Sequence, residues 1–506
     1  MVKYLIGADL GTQGTKTVLF DTEMNPAAQS FLPSKLISPC PGTTWEEPED
    51  MFGSVISGVR QVMERSGVSP KDVLALGIDS QMAGILGVDE EGQASTVYDS
   101  WLDTRCAPQA LNMRRRAGKR ITEITGGPVT CTHGPKILWW KENRPEAYRR
   151  TCKFVPPHGY VTGRLCGRKG PEFTFDYTCL QYSGFGDNQG KRWSPELLEL
   201  FGVEPSKMAR IVPPFEILGG ITEDYAAAMG LCPGTPVAAG AGDTACSIFG
   251  SGLFGNGELL DCAGTASVLC CAVDSFVPDT AFDTMTMMRS PLDGVWYPLA
   301  YINGGGMDVA WLRREFTGEP PVPYRELEEA ASSLPCGSEG LLFLPHFSGR
   351  VLPSDPSMKG AFLGLDWRHT RSHLFRAVME GISYEYAYYL QVLRSLYPNT
   401  DFRHMTAVGG GAKSSLFLSL KADILGVDVS PLQTGDTAPV GSAVIAGVGA
   451  GVFADCRAPI EKTLRRRENF ACHRERHQAY ASYREAYLQA LEALSPLYRR
   501  PPWNAG

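Results

Sequence analysis

Residues 7–21, GADLGTQGTKTVLFD, constrain this chain more than any other stretch. Short apolar runs at residues 3–8 and 16–21 are too brief for helices and rich in aliphatic side chains, which predicts strand, turn, strand. The turn carries Asp9, Gly11, Thr12, Gln13 and Gly14. Glycines let backbone N–H groups crowd an anion, and threonine hydroxyls add donors. A carboxylate at a strand end can hold a hydrated Mg²⁺ against phosphates, which makes Asp9 a metal candidate. The Walker pattern is absent, and a strand follows where a P-loop would start a helix. The competing reading is an ordinary hairpin whose Asp9 ties its own turn together. A second copy favours the first reading. Residues 258–273, ELLDCAGTASVLCCAV, again read strand, Gly-Thr turn, strand, which points to an internal duplication. Two phosphate-clasping hairpins would then face each other across a cleft.

Between and beyond the hairpins, several stretches carry polar groups at strand or helix ends. Residues 45–65 predict a helix with Val55, Ile56, Val59 and Val62 on one face. A buried strand over 73–78 runs into Asp79-Ser80-Gln81-Met82-Ala83-Gly84, followed by a strand over 85–88. Such a loop sits at the mouth of a sheet, where ligands bind, or is a plain connection. Residues 98–105, YDSWLDTR, combine aromatic rings, carboxylates and an arginine. That mixture suits a polyol, whose apolar face the rings would cover, or a surface turn with an internal Asp–Arg pair. Residues 135–150 predict one amphipathic helix, and 176–184 a polar loop. At residues 236–252 a short strand meets Gly240-Ala241-Gly242-Asp243-Thr244-Ala245 and then a small-residue helix. Asp243 reads as a helix N-cap or as a general base at a cleft, and position alone does not separate the two.

The second half repeats the theme. A glycine cluster at 303–306 opens a helix, a plausible anion or nucleotide contact. A long amphipathic helix spans 371–396. Residues 405–429 read strand, Gly409-Gly410-Gly411, helix, strand, without the glycine spacing or the ribose-binding acid of a dinucleotide site. A small-residue helix follows at 437–452, and a charged amphipathic helix over 468–498 is expected to cap the second lobe.

Length and composition bound the class. A chain of 506 residues suggests about three domains or two large lobes. With 43% hydrophobic and 20% charged residues it reads as an ordinary soluble globular protein. A net charge of −7 argues against a nucleic-acid backbone as partner. The 14 cysteines contain no C-x-x-C pair, which fits a reducing cytoplasm, and the 8 histidines show no metal-ligand spacing. The Gly-rich stretch at 438–454 is too short to span a membrane comfortably, and the first residues do not read as a signal peptide.

In this order, and over nearly the whole chain, the motifs resemble those of the FGGY carbohydrate kinases of the actin/hexokinase-type ATPase superfamily. GAFLGL at 360–365, then His373-Leu374 and Ala377-Val378-Met379-Glu380, is similar to that family's C-terminal signature. DLGTQGTK, GAGDTA, GTASV, GGGAKS and PKILWWKEN fit as well. The resemblance implies an α/β fold of two ribonuclease-H-like lobes with a central cleft. Residues 1–242 would form the sugar-holding lobe and 243–506 the ATP-holding one. It implies transfer of the γ-phosphate of ATP, with Mg²⁺, to a hydroxyl of a small sugar, and a homodimer is common in the family. Asp9 would help place the metal, while Gly11, Thr12, Gln13 and Lys16 line the phosphate channel. Asp243 matches the catalytic base that touches the sugar hydroxyl. Gly264 and Thr265 would contact the ATP phosphates, and Gly306, Gly410, Gly411 and Ser415 fall around the nucleoside. Gln81, Met82, Trp101 and Asp103 fall where the family holds its sugar. The Gln-Met-x-Gly stretch looks most like the xylulokinase branch, although Ala83 stands where that branch usually has a histidine. A xylulose-like ketose therefore ranks first, ahead of other ketoses, sugar acids and smaller polyols. A non-catalytic regulator on the same fold is disfavoured by the presence of both Asp9 and Asp243. An activator-type ATPase is disfavoured by YDSWLDTR and the C-terminal signature.

Overall fold

The computed structural model describes residues 2–433 and 436–503. Two mixed sheets organise it. The first contains β1 (Tyr4–Leu10), β2 (Gly14–Asp21), β3 (Pro26–Pro33), β4 (Val73–Ser80), β5 (Ile217–Gly220), β6 (Pro236–Ala238) and β7 (Ala241–Gly242). Its order is β5-β6-β4-β1-β2-β3, with β7 beside the end of β4. The second contains β8 (Leu259–Ala263), β9 (Ser267–Cys271), β10 (Thr286–Arg289), β11 (Trp296–Ile302), β12 (His404–Val408) and β13 (Asp428–Pro431). Its order is β10-β11-β9-β8-β12-β13.

The paths β3-β2-β1-β4 and β11-β9-β8-β12 match strand for strand. In each, the first three strands are antiparallel and the last pair is parallel. The two Gly-Thr hairpins, β1–β2 and β8–β9, hold equivalent places in the two sheets. This is the duplication that the paired hairpins predict, in the ribonuclease-H-like form that the family resemblance implies. It also brings the tips of both hairpins to the carboxyl ends of their central strands, where open α/β sheets bind ligands.

The helices that matter here are α1 (Pro48–Ser66), α2 (Pro157–Leu165), α3 (Asp243–Gly250), α4 (Gly306–Phe316), α5 (Arg371–Leu396), α6 (Ser415–Leu425), α7 (Thr437–Gly449) and α8 (Ala481–Tyr498). On α1 the expected face is buried through Val55, Val59 and Val62, with Ile56 at its edge. The helix starts later than expected, because Trp45 belongs to a strand over Thr43–Glu46. Pro48, pre-set for the first helical turn, marks the start, and Gly67 in the left-handed region ends it. The helix expected over 135–150 is two, His133–Asn143 and Pro145–Arg150. Arg144 cannot stay helical before a proline. The tail helix likewise divides into Arg474–Ala479 and α8. The stretch expected as a polar loop at 176–184 contains a buried turn, Tyr177–Tyr182, whose Thr178 and Gln181 point inward. Among the described residues no helix is long and apolar enough to cross a membrane.

The small-residue helix α7 lies on the first sheet, although its chain segment follows the second. A Cβ on Gly7 of β1 would fall 2.0 Å from the Pro439 carbonyl oxygen, and one on Gly77 of β4 would fall 1.9 Å from that of Ser442. Helix and sheet therefore meet backbone to backbone. A shared core of Leu5, Ala75, Cys246, Ala443 and Ala446 closes around them. This packing delivers the start of α7 to the ends of β1 and β4, beside Asp9 and Asp79.

Candidate active site

A cleft cavity of about 470 Å³ is lined by Asp9, Gly11, Thr12, Gln13, Lys16, Asp243 and Thr244, together with Asp436 and Thr437 at the start of α7. Every expected metal, phosphate-channel and base residue of the first hairpin and of GAGDTA meets there. Asp9, next to last in β1, stands in register with Asp79 of β4 on one side and Lys16 of β2 on the other. Lys16 pairs with Asp436 across the cleft.

Asp79 is fully buried; its desolvation first, and the charge of Asp9 second, hold it well above the usual carboxylate range. It accepts a hydrogen bond from Ser442 of α7. Burial also raises Asp9 itself, against the opposing effects of Asp79 and Lys16. Among the described residues no donor reaches the buried Asp9 Oδ1. A hard carboxylate oxygen left unused in an anionic cleft is the donor type that Mg²⁺ takes, so the residues present fit that ion.

Asp243 is the first residue of α3, preceded by Gly242 as N-cap, so it is not the cap itself. Its Oδ1 accepts from the Thr244 N–H and hydroxyl, the latter at 3.1 Å. Burial, then the Asp9 charge, push its carboxyl up to about 7. A carboxylate poised near neutrality in a cleft is what a general base requires.

The backbone just before Asp243 is held by a chain of buried hydrogen bonds that sequence reasoning missed. The Ser80 hydroxyl meets His158 Nδ1 at 2.7 Å, and His158 Nε2 meets Asp176 at 2.7 Å. Asp176 in turn accepts from the Thr178 hydroxyl, and Thr178 Oγ1 accepts the Gly242 N–H at 3.0 Å. His158, Asp176 and Cys179 are also the one group among the described residues spaced to hold a metal. Both histidine nitrogens already have partners, so the cluster reads as a clamp.

The sugar candidates join the phosphate turn. Trp101 Nε1 donates to Thr12 Oγ1 at 2.9 Å, Thr12 reaches Gln81 Oε1 at 3.4 Å, and Gln81 Nε2 donates to Glu46 at 2.7 Å. Met82 is buried beneath Gly242. Glu46, raised by burial, was not visible as a site residue, because it sits in a strand with no motif around it. Asp103 is buried and engaged within the chain: it accepts from the Thr44 N–H at 2.8 Å, the Arg105 N–H at 3.0 Å and Arg105 Nε at 2.7 Å. Its carboxylate shapes the YDSWLDTR turn, and Arg105 bridges it to Asp99.

At the second hairpin, Gly264 and Thr265 are exposed at the tip. Gly306 donates to the Gly264 carbonyl at 3.2 Å and Met307 to that of Thr265 at 3.1 Å, which fixes the start of α4 against the tip. β8 and β12 run in parallel register up to Cys262 and Val408, so Gly410 and Gly411 emerge beside Gly264. Ser414 caps α6 by accepting from Phe417. Ser415 lines a separate cavity of about 480 Å³ with Glu328, Ser332, Pro335 and Leu416.

The models of the N-terminal and C-terminal domains of the FGGY family of carbohydrate kinases match residues 4–250 and 262–450. The chain belongs to the FGGY family of carbohydrate kinases. Xylulose kinase of Bacillus subtilis is 27% identical over 496 residues, covering 96% of each chain. Gluconokinase of the same organism is 26% identical over 457 residues, covering 88% of this chain and 87% of the relative. The crystal structure of xylulose kinase from Rhodospirillum rubrum superimposes with a TM-score of 0.90 at 23% identity, over 98% of this chain and all of that one. The FGGY fold, two α/β lobes of the actin/hexokinase type around a cleft, is therefore the fold of this chain. The cavity that holds Asp9 and Asp243 is lined by residues of both matched domains.

Proposed function

We propose that this FGGY kinase transfers the γ-phosphate of ATP to a hydroxyl of a small neutral sugar, a xylulose-like ketose first, with Asp243 as general base. The observation that carries the reading is Asp243 itself: a carboxylate raised to about 7, sharing one cleft with Asp9 and a glycine-rich phosphate turn. In this reading residues 1–242 hold the sugar and 243–506 hold ATP, apart from α7, which lies on the sugar-side sheet. Asp9 would hold Mg²⁺, whose charge offsets that developing on the phosphates during transfer. Thr12, Gln13 and Lys16 orient the phosphates from one hairpin, and Gly264 and Thr265 from the other. Asp243 accepts the proton of the attacking hydroxyl as the new P–O bond forms. Positioning and charge stabilisation are the main tasks that phosphoryl transfer leaves to a protein.

A neutral sugar is favoured over a sugar acid by the charges around the Gln81–Glu46 end of the cleft. The cations there are committed: Arg105 to Asp99 and Asp103, and Lys136 to the carbonyls of Asp103 and Cys131. A carboxylated substrate would meet the like charge of Glu46, and the lysine that lines the same cavity, Lys35, is already paired with Asp50. ADP release with Mg²⁺-ATP over a panel of ketoses, polyols and sugar acids tests the proposal. One neutral sugar should accelerate turnover severalfold above all acids, and Asp243→Ala should abolish that turnover. Basal hydrolysis that no sugar accelerates and that survives Asp243→Ala overturns the kinase assignment in favour of an ATPase or a regulator.

A further inference from the structure

Four buried or half-buried side chains keep polar atoms that no described residue satisfies: Trp45 Nε1, the Tyr98 hydroxyl, both His133 ring nitrogens and both Gln181 amide atoms. Buried polar groups are paired in nearly all native structures, so a cluster of orphans marks a place that a ligand completes.

The Tyr98 hydroxyl presses on Gly84, 2.1 Å from where a Cβ would sit. The Gly84 carbonyl lies beside the His133 ring without completing a hydrogen bond to either nitrogen. His133 stands edge-on to Tyr182, with ring centroids 6.5 Å apart, and to Phe175 at 5.6 Å. Gln181 precedes Tyr182 on the same turn. Burial first, then the charges of Glu46 and Asp243, raise the Tyr98 hydroxyl, and burial, then Tyr301 and Asp243, raise that of Tyr182. Tyr98, His133 and Gln181 thus lie buried about residues 81–84 and the Tyr177–Tyr182 turn, with unpaired polar atoms set among aromatic rings.

His133 is the most pointed of the orphans. It is 1% exposed, and burial, then the nearby Lys136 charge, push it down to about 3. The ring is neutral at physiological pH and offers one N–H donor and one lone-pair acceptor. A hydroxyl matches both. A carboxylate would match only the donor.

We propose that His133 binds a hydroxyl of the sugar, with Tyr98 and Gln181 beside it, and so determines which small sugar this kinase accepts. The proposal rests on the sugar-kinase reading above. His133→Phe keeps the ring volume and deletes both nitrogens, while His133→Gln restores a donor and an acceptor. Steady-state kinetics on the preferred sugar and its monodeoxy analogues test the assignment, with ATP affinity and melting temperature as checks on the fold.

For His133→Phe, KM for the preferred sugar should rise about 10- to 100-fold, the cost of an unpaired substrate hydroxyl in a closed site, while kcat changes far less. His133→Gln should recover most of that loss. One deoxy analogue, lacking the hydroxyl that the ring reads, should show the same KM with wild type and His133→Phe. A KM rise equal for every analogue, or no change beyond twofold for any, overturns the assignment and leaves the kinase reading standing. If the wild type phosphorylates no sugar, both fall. Should His133→Phe not fold, His133→Leu, which also deletes both nitrogens, decides: an altered ranking of the deoxy analogues supports the proposal, and an unchanged ranking overturns it.

Discussion

Gly77→Ala tests the backbone-to-backbone seat of α7 on the first sheet. The new Cβ would sit 1.9 Å from the Ser442 carbonyl oxygen, and real Cβ contacts begin near 3.0 Å, so helix or strand must retreat. The obstacle is backbone on both sides, so no side chain can swing aside. Overpacking of this kind costs about 1–3 kcal/mol, and a backbone obstacle belongs at the upper end. For a lobe of roughly 250 residues, about 3 kcal/mol lowers the melting temperature by about 6–12 °C. Gly53→Ala is the matched control. Gly53 lies inside α1 with nothing within 4 Å of its would-be Cβ. There the same substitution should stabilise by about 0.5–1 kcal/mol through helix propensity alone. Differential scanning calorimetry of the two variants and wild type should therefore show opposite shifts of the first transition. If Gly77→Ala melts within 2 °C of wild type, the close seat of α7 is not real and the reasoning fails.

Asp243→Asn keeps an acceptor for the Thr244 N–H but removes the base, so kcat should fall about 10²- to 10⁴-fold with the KM for ATP nearly unchanged. A fall under tenfold in steady-state assays would leave Asp243 a structural residue. Because Asp243 titrates near 7 and acts when deprotonated, kcat/KM should climb as pH rises through about 7. In the bound complex the added cation charge favours the carboxylate, so the acid limb of kcat should lie lower, and two limbs near 4 would refute the assignment. The same raised carboxyl binds a proton that the unfolded chain has released, so its contribution to stability declines between about pH 4 and 7 and is constant above; a melting series over that range checks the sign. Asp9→Asn should weaken Mg²⁺-dependent ATP binding, read by calorimetry with and without the ion. Equal affinity in both conditions would remove Asp9 from the metal site.

Much of this architecture was legible in the sequence because its determinants are local. Two Gly-Thr turns between short aliphatic runs dictate hairpins, and their repetition dictates a duplicated fold. The long periodic stretch at 371–396 became α5 with the same bounds. Helix starts were less legible, as at Trp45 and Arg144, because neighbouring prolines and strand pairing outweigh hydrophobic periodicity at element ends. Asp9 and Asp243 could be singled out as carboxylates beside glycine turns, and the family match carried both into one cleft. Their chemistry was another matter. The raised carboxyl of Asp79, the poise of Asp243 near neutrality and the orphaned nitrogens of His133 all come from desolvation and from groups brought together across the fold. Ser442 reaches Asp79 from 363 positions away. His158 clamps Gly242 through residues on four separate segments. Local sequence determined which elements form and which residues could do chemistry. Only tertiary packing decided which of them lose water, which gain partners and which are left waiting for a ligand, because burial and electrostatics are properties of the assembled interior.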